Sequence, residues 1–352
     1  MGTALNILFR PAVLYTLLCA LFFAGLALRK MLARAQIALP VLIGAAGILA
    51  LSFLNPQFAR QAGKPDNLAL WATLFFIAFF LWIGFRQAAE NDARLEQGQR
   101  VAEAEISRQR VFVWPNLLYM EAIAAAFALV VLFAWSMSID APLEQIADPS
   151  TSPNPSKAPW YFLGLQELLV YFDPWIAGVL LPCMAVTGLL ALPYCDPNPK
   201  GSGYYGFRQR PFAITVYLFG FLLLWIVLIC FGAALRGPNW SFYGPYEAWD
   251  ASKALAFANI NLDQIVWHHD LSSMHWFLRE LPGLALVAAY FTLLPALGRK
   301  LFRETYEELG FVRYSIVAIH LLVMLAVPIK MYLHWCFGLK YVVYIPEFFF
   351  NI

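Results

Sequence analysis

The chain has 352 residues, of which 61% are hydrophobic and 13% charged, and its mean hydropathy is +0.63. Soluble domains carry about a quarter charged residues, so this composition points to a polytopic membrane protein. A net charge of +2, with basic residues scattered between apolar runs, excludes the basic stripe of a nucleic-acid partner.

A spanning helix takes about twenty mostly apolar residues, because the hydrocarbon layer is about 30 Å thick and each helical residue rises about 1.5 Å. Eight stretches qualify, near 8–28, 37–54, 69–86, 115–138, 174–194, 211–235, 281–298 and 313–335, the second and third being short. The fold class expected is therefore an all-α integral membrane protein with about eight spans. The first stretch lacks a small-residue cleavage motif and ends in the basic cluster Arg29, Lys30 and Arg34, so it reads as a retained span and not as a removed signal peptide. After a three-span unit, 1–86, comes "AAENDARLEQGQRVAEAEISRQR", which is polar nearly all round and mixes both signs. It reads as a solvated helix or linker, 87–110.

Alternating sides through eight spans gathers 15 of the 24 basic residues on one side. The positive-inside rule makes that side cytoplasmic and puts both termini on the outer side. A bacterial cytoplasmic membrane is the expected location. No internal repeat is visible.

The five cysteines, Cys19, Cys183, Cys195, Cys230 and Cys336, show no CxxC or CxxCH spacing, so neither a thiolate metal site nor covalent haem attachment is signalled. They read as small apolar fillers. His268, His269 and His275 lie in a long aromatic loop, 236–280; adjacent histidines chelate awkwardly, and polar interfacial residues are the favoured reading. A b haem in a bundle wants two axial histidines from facing helices. Only His320 lies well inside a span, so no metal ligand is assigned to this chain and His320 is expected to be hydrogen-bonded within the bundle. Glu121, about one turn into the fourth span, is a candidate for proton uptake on the inner side or for snorkelling to the headgroups. Lys330 is expected to snorkel outward or to pair with another chain. The C-terminal unit, 281–352, ends in the aromatic tail "GLKYVVYIPEFFFNI", which suits interfacial packing.

The middle of the chain has the most specific order of features. A span entered by "WPNLLY" is followed by the outer loop "SIDAPLEQIADPSTSPNPSKA", the aromatic "PWYF", a span beginning "DPWIAGVLLPC", and an inner loop whose "FRQRPF" opens the next span. Over residues 111–235 this resembles the C-terminal half of cytochrome b, most closely subunit IV of cytochrome b6f-type complexes, with extra spans at both ends. The resemblance implies a cytochrome b C-terminal-like helical core that forms part of an outer quinol-oxidation site and contributes to proton release. It implies a menaquinol or ubiquinol substrate, b haems on a cytochrome b6-like partner, an iron–sulfur cluster on a Rieske-type partner, and a c-type cytochrome as a further partner, all among lipids.

A quinol needs an apolar slot and a hydrogen-bond partner for its hydroxyl proton. Pro159, Trp160, Phe162 and Leu163 are the expected quinol-binding walls, and Tyr161, whose phenol is a polar handle for the quinol, is a catalytic candidate. An interfacial aromatic belt is the plainer reading of the same residues. The family carries glutamate before its Trp-Tyr pair, where this chain has Pro159. Glu167 is the substitute candidate for the catalytic role, because seven residues after Trp160 it returns to nearly the same helix face. It is eight residues from the vacated position, about 12 Å along a helix, so the exchange is not positional. Pairing with Lys157, or solvation, is the alternative. Two rival functions remain: a haem-free transporter using Glu121, Glu167 and His320 as a proton path, and a structural anchor whose quinol site is inactive.

Overall fold

The computed structural model describes residues 8–106, 112–140, 146, 148–150, 152–196, 206–253, 259–267, 274–348 and 350–352. All eight apolar stretches are helical. Seven helices among the described residues are long and apolar enough to cross a membrane: α2 (Ala35–Ser52), α3 (Pro65–Glu96), α4 (Val113–Ser138), α6 (Ile176–Cys195), α7 (Pro211–Leu235), α8 (Trp276–Leu301) and α9 (Arg303–Phe337). α1 (Pro11–Ala27) is shorter at 17 residues, about 25 Å long. A short helix, α5 (Leu163–Leu168), lies between α4 and α6. The chain is an all-helical multi-pass membrane protein.

Local sequence explains the boundaries. Proline opens α1, α3 and α7, where its missing N–H leaves no helical bond unmade. The His275 Nδ1 accepts from the Phe277 N–H and caps α8. Gly338, with φ +66°, ends α9 in a left-handed turn. Gly310, with φ +71° and ψ 172°, breaks α9 near its start, which is why the apolar run of the last span begins just after it. The first part of the polar segment continues α3 as far as Glu96. There it ties two loops together: Glu96 takes Arg208 at 2.7 Å and Lys30 at 3.5 Å, and Asp92 accepts the Arg208 backbone N–H.

The main core joins α1, α5, α6, α7 and α9 through Tyr15, Leu168, Ala177, Phe231 and Met331. α3 joins through Leu70, which packs on Leu163, Ile229 and Ala233. The N-terminal helices thus share the core of the middle segment. α4 differs: it buries no residue against the rest of the described chain. Beyond α9, a two-stranded antiparallel ribbon pairs β1 (Tyr344–Ile345) with β2 (Phe350–Asn351).

Candidate functional site

The ends of α5, α7 and α9 and the loops around them meet at one end of the bundle, and the aromatic motif sits there. Pro159 precedes a single 3₁₀ turn, Trp160–Phe162, which runs directly into α5. Gln166 staples this turn from behind: its Oε1 accepts the Ala158 N–H at 2.9 Å and its amide donates to the Ser156 carbonyl at 2.8 Å. Asn154 anchors the preceding loop on Asn239, accepting its N–H at 2.6 Å. Asn239 holds φ +57°, a left-handed conformation that asparagine tolerates. The sequence from 236 to 253 folds over the same end, with Tyr243 fully buried and its hydroxyl donating to the Asp250 carbonyl.

This anchoring leaves Tyr161 and Phe162 each 49% exposed, their rings 4.6 Å apart, with Pro159 exposed beside them. Trp160 meets Tyr161 edge-on at 5.8 Å and packs its other side against the Leu70 cluster. The result is an open aromatic face on a fixed turn. Leu163 does not belong to it. At 2% exposure, wedged among Leu70, Ile229 and Ala233, it has no face for a ligand, because the turn from 3₁₀ into α-helix points it inward.

Glu167 is also turned inward and is fully buried. Arg236 grips it in a fork, Nη2 to Oε1 at 2.6 Å and Nε to Oε2 at 2.9 Å, and the Tyr171 hydroxyl donates to Oε1 at 2.8 Å. Trp335 on α9 donates to the Tyr171 oxygen at 3.1 Å, and Arg236 Nη1 donates to the Trp240 carbonyl at 2.7 Å. Burial works against the Arg236 charge, yet the carboxylate of Glu167 and the phenol of Tyr171 hold the guanidinium above its ordinary value. Burial, reinforced by the Glu167 charge, pushes the Tyr171 phenol well above its usual range. The expectation of a carboxylate presented to a ligand, or paired with Lys157, therefore needs correction. Lys157 donates instead to the Ala233 carbonyl at 2.8 Å, and Glu167 has no open side.

The other candidates are dispersed. Glu121 stays exposed on α4, away from any partner among the described residues. His320 hydrogen-bonds Thr187 at 3.2 Å and the Ile316 carbonyl at 2.7 Å, as expected of a bundle residue. Glu167 and His320 have separate partners and form no shared path. His268 and His269 lie outside the described residues, and no group of three metal-ligating side chains occurs among the described ones. Lys330 does not snorkel. It is 4% exposed, and its ammonium lacks a hydrogen-bond partner, lying 5.9 Å from the Phe172 ring and 5.7 Å from that of Tyr341.

Residues 146–248 match the cytochrome b(C-terminal)/b6/petD family. That is the family indicated by the order of motifs, and the match takes in the aromatic turn, α5, α6, α7 and the Arg236 loop. The cytochrome b C-terminal-like segment is also similar to the menaquinol:cytochrome c reductase cytochrome c subunit of Geobacillus thermodenitrificans, 32% identical over 110 residues. The corresponding subunit of Bacillus subtilis (strain 168) is 30% identical over 112 residues. Each alignment covers 30% of this chain and 42% of the relative, so the chain spans less than half the length of these relatives. No solved structure matches. Arg236 was missed as a site residue by sequence reasoning, although a lone arginine just beyond an apolar span is a visible signal of a buried or interfacial partner.

Proposed function

We propose that this chain is a membrane subunit of a quinol:cytochrome c-type oxidoreductase, and that Pro159, Trp160, Tyr161 and Phe162 form one wall of its outer quinol-oxidation site. The observation that carries the reading is the exposed Tyr161–Phe162 face held on an anchored turn inside the family-matched segment. An aromatic face of this kind stacks against a quinol ring, and the phenol supplies a hydrogen bond to a quinol hydroxyl. Glu167 acts through others: its pairing with Arg236 and Tyr171 fixes α5, and with it the turn that carries Tyr161. Glu121 is assigned inner-side proton uptake only as a secondary role.

Quinol oxidation releases two electrons and two protons. Electron acceptors on partner chains, a b haem and an iron–sulfur cluster, supply the redox chemistry, and this chain orients the quinol and passes its protons to the outer face. A haem-bearing partner has a ready contact in α4, whose apolar surface is uncovered. A Rieske-type protein and a c-type cytochrome complete the proposed assembly. The name of the relatives makes menaquinol the first substrate to test. The bacterial cytoplasmic membrane, with this site on its outer side, is the corresponding location.

The test uses the purified complex and a soluble menaquinol analogue. Tyr161→Ala should lower quinol-oxidation kcat/KM by about tenfold or more, the size of a lost hydrogen bond and stacking face, while complex assembly and haem content stay unchanged. Unaltered turnover in an assembled complex would reject the site and favour a structural anchor; a purified complex without b-haem absorbance would reject the oxidoreductase reading itself.

A further inference from the structure

A cavity of ≈ 850 Å³ opens at the same end of the bundle, between the start of α1, the end of α5, the 236–253 loop and the end of α9. Its size is within the range of small-molecule sites. It is distinct from the aromatic turn, being lined by Leu169 and Val170 and by none of residues 159–162. Much of its wall, including Phe9, Val13, Leu169, Phe242 and Trp335, lies outside the catalytic face proposed above.

The polar lining is unevenly satisfied. Two of its cations have partners: Arg236 is held by Glu167, and Lys253 by Glu247 at 2.5 Å. The two others, Arg10 and Lys340, have no ion-pair partner among the described residues, although the Lys340 ammonium lies 5.2 Å from the Tyr341 ring. Glu247, the acidic residue of the lining, is taken by Lys253. The cavity therefore presents a surplus of positive charge beside an apolar wall, which suits an anion with an apolar body.

The apolar wall also continues. Val13 lines the cavity at 37% exposure, and Leu17 and Leu21, at 39% and 67%, follow it at four-residue steps down one face of α1. Side chains at such steps form a stripe, and this one runs from the cavity into the apolar length of the span. A free phosphate would have no use for it; an acyl chain would.

We propose that this cavity is a binding site for an anionic phospholipid, with Arg10 and Lys340 meeting the headgroup phosphate and the Val13–Leu17–Leu21 stripe receiving a chain. Arg10 and Lys340 come from the two units that flank the matched segment, so a bound lipid bridges α1, the middle segment and the end of α9.

Native mass spectrometry of the delipidated full-length protein, titrated with phosphatidylglycerol, tests this. Wild type should retain phosphatidylglycerol, and Arg10→Gln/Lys340→Gln should weaken that retention about tenfold or more, as loss of two headgroup cations implies. Arg299→Gln/Lys300→Gln, at the opposite end of α8, should leave retention unchanged and control for general charge loss. Equal retention in the Arg10/Lys340 variant would overturn the proposal, as would equal retention of phosphatidylcholine by wild type. Full displacement of phosphatidylglycerol by millimolar inorganic phosphate would overturn the lipid assignment in favour of a simple anion site.

Discussion

Glu167 sits where a buried carboxylate is costly unless its oxygens are filled, and the chain fills both with one arginine. Breaking such a pair from one side strands the other charge, at about 3–5 kcal/mol. Arg236→Leu should therefore lower the thermal unfolding temperature sharply in detergent, whereas Glu167→Gln/Arg236→Met, which removes both charges, should recover much of the loss. Equal damage from the single and double variants would contradict the pairing argument. Lys157 gives a pH signature. Burial, then the charge of Lys64, pushes its ammonium down from 10.5 to about 8. Between those values the folded state binds fewer protons than the unfolded chain, so stability rises with pH across that window, and the cost is complete below it. The stability gap by which Lys157→Met exceeds wild type should accordingly shrink as pH is raised from about 8 to about 10.5, measured by chemical denaturation; a constant gap would contradict a desolvated amine. Sequence reasoning found Glu167 because a carboxylate beside Trp and Tyr is conspicuous. It could not find the partner, which lies 69 residues later: helical periodicity relates residues on one helix and says nothing of two loops folded together. Lys330 was misread for a similar reason, since a long stem near a span end signals snorkelling unless loops beyond the span close over it, as Tyr341 does here.

The seat of α5 is a place where two elements come too close for a side chain. A Cβ added at Gly232 would lie 3.0 Å from the Leu163 Cβ and 3.0 Å from its carbonyl oxygen. A backbone oxygen yields only if the helix moves. Gly232→Ala should thus cost about 1–3 kcal/mol of stability, measured by thermal unfolding, and should lower quinol oxidation by displacing the Tyr161 turn. Gly178→Ala, where a Cβ meets open space, should do neither, and equal effects from the two would undermine the close-packing argument. The spans themselves were legible because each carries its apolar run in its own sequence. α5 was not resolved as a separate element, because six residues give less than two helical turns of pattern. The extension of α3 to Glu96 was ambiguous because mixed charges suit a solvated helix and a linker equally.

The whole chain exposes 22562 Å², against about 14,000 Å² for a compact soluble protein of this mass. Many large apolar side chains on the spanning helices are exposed, and such surface belongs in lipid or against other chains. α4 is the extreme case, and no reading of its sequence alone separates a lipid-bathed span from one that waits for a subunit. The two ends of the bundle differ in character. One gathers Arg29, Lys30, Arg208 and Arg299, while the aromatic turn and the lipid cavity occupy the other. In a Cys336→Ser background, Ser252→Cys should react with an impermeant maleimide in intact cells, and Arg100→Cys only after the membrane is opened. The reverse pattern would invert the proposed orientation.

The Glu167–Arg236 pair also constrains how the protein is made. The carboxylate emerges from the ribosome two spans before its guanidinium, since α6 and α7 both lie between them. Until α7 has crossed and turned the chain back, Glu167 has the Tyr171 hydroxyl but no counter-charge. The two spans and the loops they join thus become a single unit of insertion, whose outer end closes only when its last residue arrives.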